Sequence, residues 1–131
     1  MLSQKQGEIL VKFARHTIES YFEGKELKEP EEFSQKQGVF VTLLKFPEQE
    51  LKGCIGFPYP VLALNRAVRE AAKSAAFNDF RFLQLQKNEL EDIIIEISVL
   101  TPPKEMKCKK EALPGNIEIG RDGLIVSCQE K

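Results

Sequence analysis

Between Val61 and Ala76 the chain reads VLALNRAVREAAKSAA. Leu64, Ala67, Val68, Ala71, Ala75 and Ala76 recur at helical spacing and form one stripe of short side chains. Short side chains stabilise a helix only if its partner comes close, and a sheet packed against the stripe meets that need. The reading is a helix over about residues 61–76. Pro58 and Pro60 suit its opening turn, and Asn78-Asp79 closes it.

The flanking segments supply that partner. Ser3 and Gln6 make an S-x-x-Q start signal. Ile9, Leu10, Phe13, Ala14, Thr17 and Tyr21 then share a face, so a first helix is expected over about 3–23, ending near Gly24. The polar stretch 25–36 reads as a surface loop. Residues 39–45 and 51–56 are rich in β-formers and separated by Pro47 and a polar turn, which predicts a hairpin. Residues 93–100 read as a further strand, stopped by Pro102-Pro103. Residues 117–119 and 124–128 are two short strands joined by GRDG, in which Asp122-Gly123 suits a tight turn. Two helices and about five strands, mostly in hairpins, define an α+β two-layer sandwich. No G-x-G-x-x-G or P-loop signal points to a doubly wound sheet.

The bulk numbers exclude several functions. The 131 residues suit a single domain with a real core, and charges nearly cancel at −1. No broad basic field calls for nucleic acid or an anionic membrane, and the apolar runs are too short to span a bilayer. The opening MLSQKQGEIL lacks a basic-then-apolar export pattern, so an intracellular, cytoplasmic protein is expected. The three cysteines, Cys54, Cys108 and Cys128, match no zinc spacing, and there is one histidine, His16, on the first helix. Reduced thiols follow, with no metal or cofactor implied.

The segment LKGCIGFPYP, residues 51–60, carries the candidate site. Strand alternation places Lys52, Cys54 and Gly56 on one face. A nearby ammonium favours the thiolate, while Gly56 leaves space beside the sulfur. Two readings of Cys54 stand: a small buried hydrophobe beside close-packing glycines, or a reactive thiol. A second cluster is NDFRF, residues 78–82. There Arg81 offers a planar fork to an anionic group or simply pairs with Asp79. The basic run 104–111 reads as a solvated loop.

In order along the chain stand ARHTIE, LKGCIG, the alanine-rich helix, AAFNDFRF, IEISVLTPP and EIGRDGLIV. This series resembles the AMMECR domain family, the proteins related to the AMME syndrome candidate gene product, over essentially the whole chain. The resemblance implies an α+β fold with a cleft near an L-R-G-C-I-G motif, here Leu51, Lys52, Gly53, Cys54, Ile55 and Gly56. Asp79, Arg81 and Phe82 form its second motif. It implies no reaction. As an enzyme, the chain would use Cys54 as nucleophile or acceptor and Lys52 to lower its pKa. Gly53, Gly56, Asp79 and Arg81 would then bind a small anionic ligand. The alternatives are a non-catalytic adaptor receiving a partner protein and, less favoured by the charge balance, an RNA-binding or RNA-modification factor. The resemblance also implies association with a Memo-like protein and a radical-SAM protein. The family pattern has arginine where this chain has Lys52, and often D-P-R-F where it reads DFRF. Typical members continue past GRDGLIV, so residues 1–131 are expected to form one domain lacking the family's C-terminal segment.

Overall fold

The structure is a computed structural model that describes residues 2–105, Gly115 and Glu118. Helix α1 spans Gln4–Phe22, strand β1 Gly38–Lys45, strand β2 Glu50–Phe57 and helix α2 Leu64–Phe77. A 3₁₀ helix over Lys87–Asp92 leads into strand β3, Ile93–Leu100. The sheet runs in the order β2-β1-β3 with both pairings antiparallel, and α1 and α2 pack on one side of it. This is the α+β two-layer arrangement expected from the sequence, with the β1–β2 hairpin in place. The strands expected at 117–119 and 124–128 fall, apart from Glu118, outside the described residues, as do Cys108 and Cys128.

The start of α1 follows its sequence signal. The Ser3 hydroxyl accepts the Gln6 N–H at 3.2 Å, and the Gln6 side chain accepts the Ser3 N–H at 2.9 Å. Its buried face is centred on Leu10, Ala14 and Ile18 and also includes Phe13, Thr17 and Ser20. Tyr21, expected on that face, is half exposed and stacks on Phe77 with ring centroids 3.9 Å apart. Ile18 takes the core position instead, with no measurable exposure.

Helix α2 begins three residues later than expected, at Leu64, and its N-cap, Ala63, supplies no side-chain hydrogen bond. The loop before β1 does this work. The carbonyls of Gln35 and Phe33 accept the N–H groups of Leu64 and Asn65 at 2.8 and 2.9 Å. Asn65 donates back to the Pro30 carbonyl at 2.7 Å. Two first-turn donors that would otherwise lack partners are satisfied by backbone rather than by a capping residue. The loop is also tied down by Phe33, which is buried in the core. Residues 58–63, with Pro58 and Pro60, therefore form a connection and not the first turn of a helix.

Inward-facing residues of the sheet are Val39, Val41 and Leu43 of β1 and Ile93 and Ile95 of β3, all buried. They meet Leu10 and Ile18 of α1 and Leu64 and Val68 of α2. Each fully buried aliphatic side chain contributes about 1.5–3 kcal/mol relative to exposure. The alanine stripe of α2 faces β2, where Gly53 lies directly beneath it. A β-carbon built on Gly53 would sit 2.0 Å from the Ala75 carbonyl oxygen. Helix and strand backbones are thus in contact, which only glycine permits.

Alanine substitutions at two glycines should therefore act in opposite directions. Gly53→Ala forces α2 off the sheet and should cost about 2–3 kcal/mol. Gly7, inside α1, has open space around its missing β-carbon, and Gly7→Ala should stabilise by about 0.5–1 kcal/mol. Urea midpoints at unchanged slope measure both.

Candidate functional site

Cys54 lies in the middle of β2, the edge strand of the sheet among the described residues, and pairs across the hairpin with Thr42. Its backbone N–H and C=O do not bond Thr42; both are held by the turn after α2. The Asp79 carboxylate accepts the Cys54 N–H at 3.0 Å, and the Arg81 guanidinium donates to the Cys54 carbonyl at 3.1 Å. Thr42 and Cys54 are thus a pair without ladder hydrogen bonds, the type in which facing side chains approach most closely. Their side chains touch, with Cys54 Sγ 3.2 Å from Thr42 Oγ1. The thiol is free, half-buried and on the sheet face opposite the helices.

Asp79 organises the turn. It is almost fully buried and uses both oxygens: Oδ2 accepts from Cys54 N–H and Arg81 Nη2, and Oδ1 from the Arg81 backbone N–H and Nε. The hydrogen bonds from the Arg81 side chain hold its carboxyl well below the usual carboxylate range. Burial works against them, and the backbone N–H groups of Cys54 and Arg81 add to the lowering. Asp79 in turn raises the Arg81 pKa, first through the side-chain hydrogen bonds and then through its charge. A saturated, acid-shifted carboxylate is a poor proton acceptor, so Asp79 positions the chain rather than serving as a base.

The rest of the turn is anchored at its far end. Leu85 N–H donates to the Ala76 carbonyl at 2.8 Å, and the Gln84 side chain donates to the Phe77 carbonyl at 3.1 Å. These satisfy two carbonyls at the α2 C-terminus. Leu85 is buried, whereas Phe80 is 97% and Leu83 93% exposed. Arg81 lies over the Phe82 ring at 5.3 Å.

Lys52 is placed differently from the strand-alternation expectation. The β1–β2 register shifts between Leu43 and Leu44, whose partners are Gly53 and Leu51, and leaves Lys52 as the extra residue of a bulge. The two-residue alternation between Lys52 and Cys54 is broken there. Lys52 Nζ lies 3.5 Å from a Glu89 carboxylate oxygen on the 3₁₀ helix, while the side-chain contact of Cys54 is Thr42. Gly56 also differs: a β-carbon there would come within 2.1 Å of the Val39 carbonyl oxygen and 2.7 Å of the Phe40 ring. It serves strand packing rather than opening space beside the sulfur. His16 is exposed on α1. The structure thus joins Cys54, Asp79 and Arg81, adds Thr42 and Gln84, and engages Lys52 elsewhere. Thr42 carried no motif; only its place opposite Cys54 in the hairpin marks it. Among the described residues no cluster of histidine, cysteine or carboxylate side chains suits a metal ion. No helix there is long and apolar enough to cross a membrane.

A chain of this sequence and α+β topology has close counterparts among known proteins. The family model described as AMMECR1 matches residues 11–131, and the chain belongs to that family. A protein of Aquifex aeolicus is 46% identical over 126 residues, covering 93% of this chain and 65% of its own length. One of Methanopyrus kandleri is 48% identical over 132 residues, covering 95% and 63%. The crystal structure of an uncharacterised protein from Pyrococcus horikoshii superposes with a TM-score of 0.85 at 40% identity. That match covers 92% of this chain and 63% of the other. The chain therefore spans just under two thirds of the length of these relatives.

Replacing Asp79 tests the clamp. Asp79→Asn should destabilise the fold by about 2 kcal/mol at neutral pH, since it weakens the charged bonds to Cys54 N–H and Arg81. The folded-state pKa of Asp79 lies below its unfolded value. Its contribution is full above the unfolded value of about 3.9 and is lost as pH falls through the folded one. The stability gap between parent and variant, read from urea midpoints, should be constant near neutrality and narrow below about pH 4.

Proposed function

We propose that this protein is a binding module whose working surface is the 79–83 turn beside Cys54, and that the surface receives a partner protein. One observation carries this reading: Phe80 and Leu83 are almost fully exposed on a turn held by the side chains of Asp79 and Gln84 and by the backbone N–H groups of Arg81, Phe82 and Leu85. Apolar side chains on a loose loop are common, but on an ordered one they are anchors prepared in advance. Between them stands Arg81, its side chain 61% exposed yet its guanidinium fixed by Asp79 and the Cys54 carbonyl. Aromatic and arginine side chains held rigid are the residues that dominate interface energies. The compartment in which this binding takes place is cytoplasmic in the same reading.

A second reading rests on the Thr42–Cys54 contact. A half-exposed thiol touching a hydroxyl, with its backbone clamped, is positioned for cysteine-dependent chemistry on a small anionic ligand held by Arg81. The saturated Asp79 and the Lys52–Glu89 pair leave that reading without a base or a free ammonium at the sulfur, which is why binding is preferred.

The two readings separate cleanly in experiment. The Memo-like protein implied by the family resemblance is the first partner to titrate. Binding that weakens by about tenfold or more in Phe80→Ser and Arg81→Ala but persists in Cys54→Ser supports the module. Binding unchanged in Phe80→Ser and Arg81→Ala, or lost in Cys54→Ser alone, overturns it. Rapid alkylation of Cys54 well below the free-thiol value of about pH 8.5 would favour the second reading instead.

A further inference from the structure

A cavity of about 240 Å³ lies on the helical layer, away from the site at Cys54. We infer that it is a binding site for a small organic anion, a carboxylate or phosphate monoester carrying a single ring or short apolar body. Its shape follows from how α1 ends. Gly24 takes a positive φ of 71°, and the Lys25 and Gly24 N–H groups donate to the Ser20 and Tyr21 carbonyls at 2.9 and 3.2 Å. This closing turn sends the chain back along α2. Glu29 then fastens it to Arg69 of α2 through an ion pair at 2.7 Å. The space between contains Thr17, Ser20 and Tyr21 of α1, Leu27 of the returning segment, and Arg69 and Lys73 of α2.

Charge decides the ligand class. Lys25, Arg69 and Lys73 line the cavity with one carboxylate, Glu26, which like Lys73 has no ion pair among the described residues but is exposed to solvent where Lys73 is half-buried. Arg69 is neutralised by Glu29 and reaches Glu70 at 3.5 Å; Lys25 has only an exposed contact with Glu23 at 3.8 Å. Lys73 is half-buried and has no hydrogen bond or ion pair among the described residues. A partly desolvated ammonium at a cavity wall, without a counter-ion of its own, attracts an anion. The negative end of α1 does not cancel it, because the Ser20 and Tyr21 carbonyls are already occupied by the closing turn.

The walls set the rest of the ligand. The hydroxyl hydrogens of Thr17 and Ser20 are spent on the Phe13 and His16 carbonyls. Those walls therefore offer no donor to a headgroup, which is left to Lys73. Tyr21 is backed on one face by Phe77, which fixes its ring as a flat wall, and Leu27 stands in the returning segment. The volume falls just under the usual range for drug-sized sites, so the ligand is small. An ammonium with rotatable donors suits a carboxylate or phosphate as a point charge and does not choose between them.

The test uses benzoate and phenyl phosphate as probes and benzyl alcohol as the neutral control, followed by amide chemical shifts of the intact chain. Both anions, or one of them, should shift the amides of Ser20, Tyr21, Leu27 and Lys73 at millimolar concentration, and benzyl alcohol should not. Shifts from one anion alone assign the headgroup. Lys73→Met keeps the apolar stem at this half-buried helix position and should weaken binding by about tenfold. Lys25→Gln, on the rim, should weaken it less. Absence of shifts with either anion, shifts located elsewhere, equal binding of benzyl alcohol, or unaltered affinity in Lys73→Met would each overturn the inference.

Discussion

The contact between Gly53 and the Ala75 carbonyl governs the geometry of this protein. Because strand β2 carries no side chain at that point, α2 rests on the sheet backbone to backbone. Its stripe of Ala67, Ala71, Ala72, Ala75 and Ala76 fills the narrow space that remains. The helix then stops at Asn78, next to the edge of β2, and the following residue is Asp79. A helix held higher above the sheet would carry Asp79 out of reach of the Cys54 N–H. The glycine before the cysteine is thus one cause of the clamp on the cysteine itself.

Much of this was legible in the sequence. The capping pair Ser3–Gln6, the alanine stripe and the β-rich runs 39–45, 51–56 and 93–100 each express a local preference that the tertiary structure respects. The start of α2 was not legible, because its first donors are satisfied by the carbonyls of Phe33 and Gln35, about thirty residues earlier. Proline residues before a helix mark a possible opening turn, but backbone from a distant loop leaves no residue-type signature. Phe33, the one aromatic in a largely polar stretch, is the hint.

The candidate site shows the same division. Cys54, Asp79 and Arg81 stood out as residue types in unusual settings, and the structure brings them together. Strict alternation places Lys52 on the face of Cys54, and a bulge opposite Leu43 and Leu44 defeats that rule. Nothing in LKGCIG announces the bulge; it depends on how the partner strand and the 3₁₀ helix with Glu89 are placed. A glycine beside a cysteine suggests space for a ligand, but at Gly56 that space is taken by Val39 and Phe40. Sequence patterns report faces well in regular strands and poorly where the register slips.

The Asp79–Arg81 pair has one more consequence. Among the described residues β2 borders the three-stranded sheet, and a strand border offers backbone groups that can pair with another chain and begin aggregation. At Cys54 the outward donor is capped by a carboxylate and the outward acceptor by a guanidinium. An intruding strand would have to displace a buried ion to form its first two bonds there. The turn that holds the cysteine in place thereby also guards the protein against its own copies.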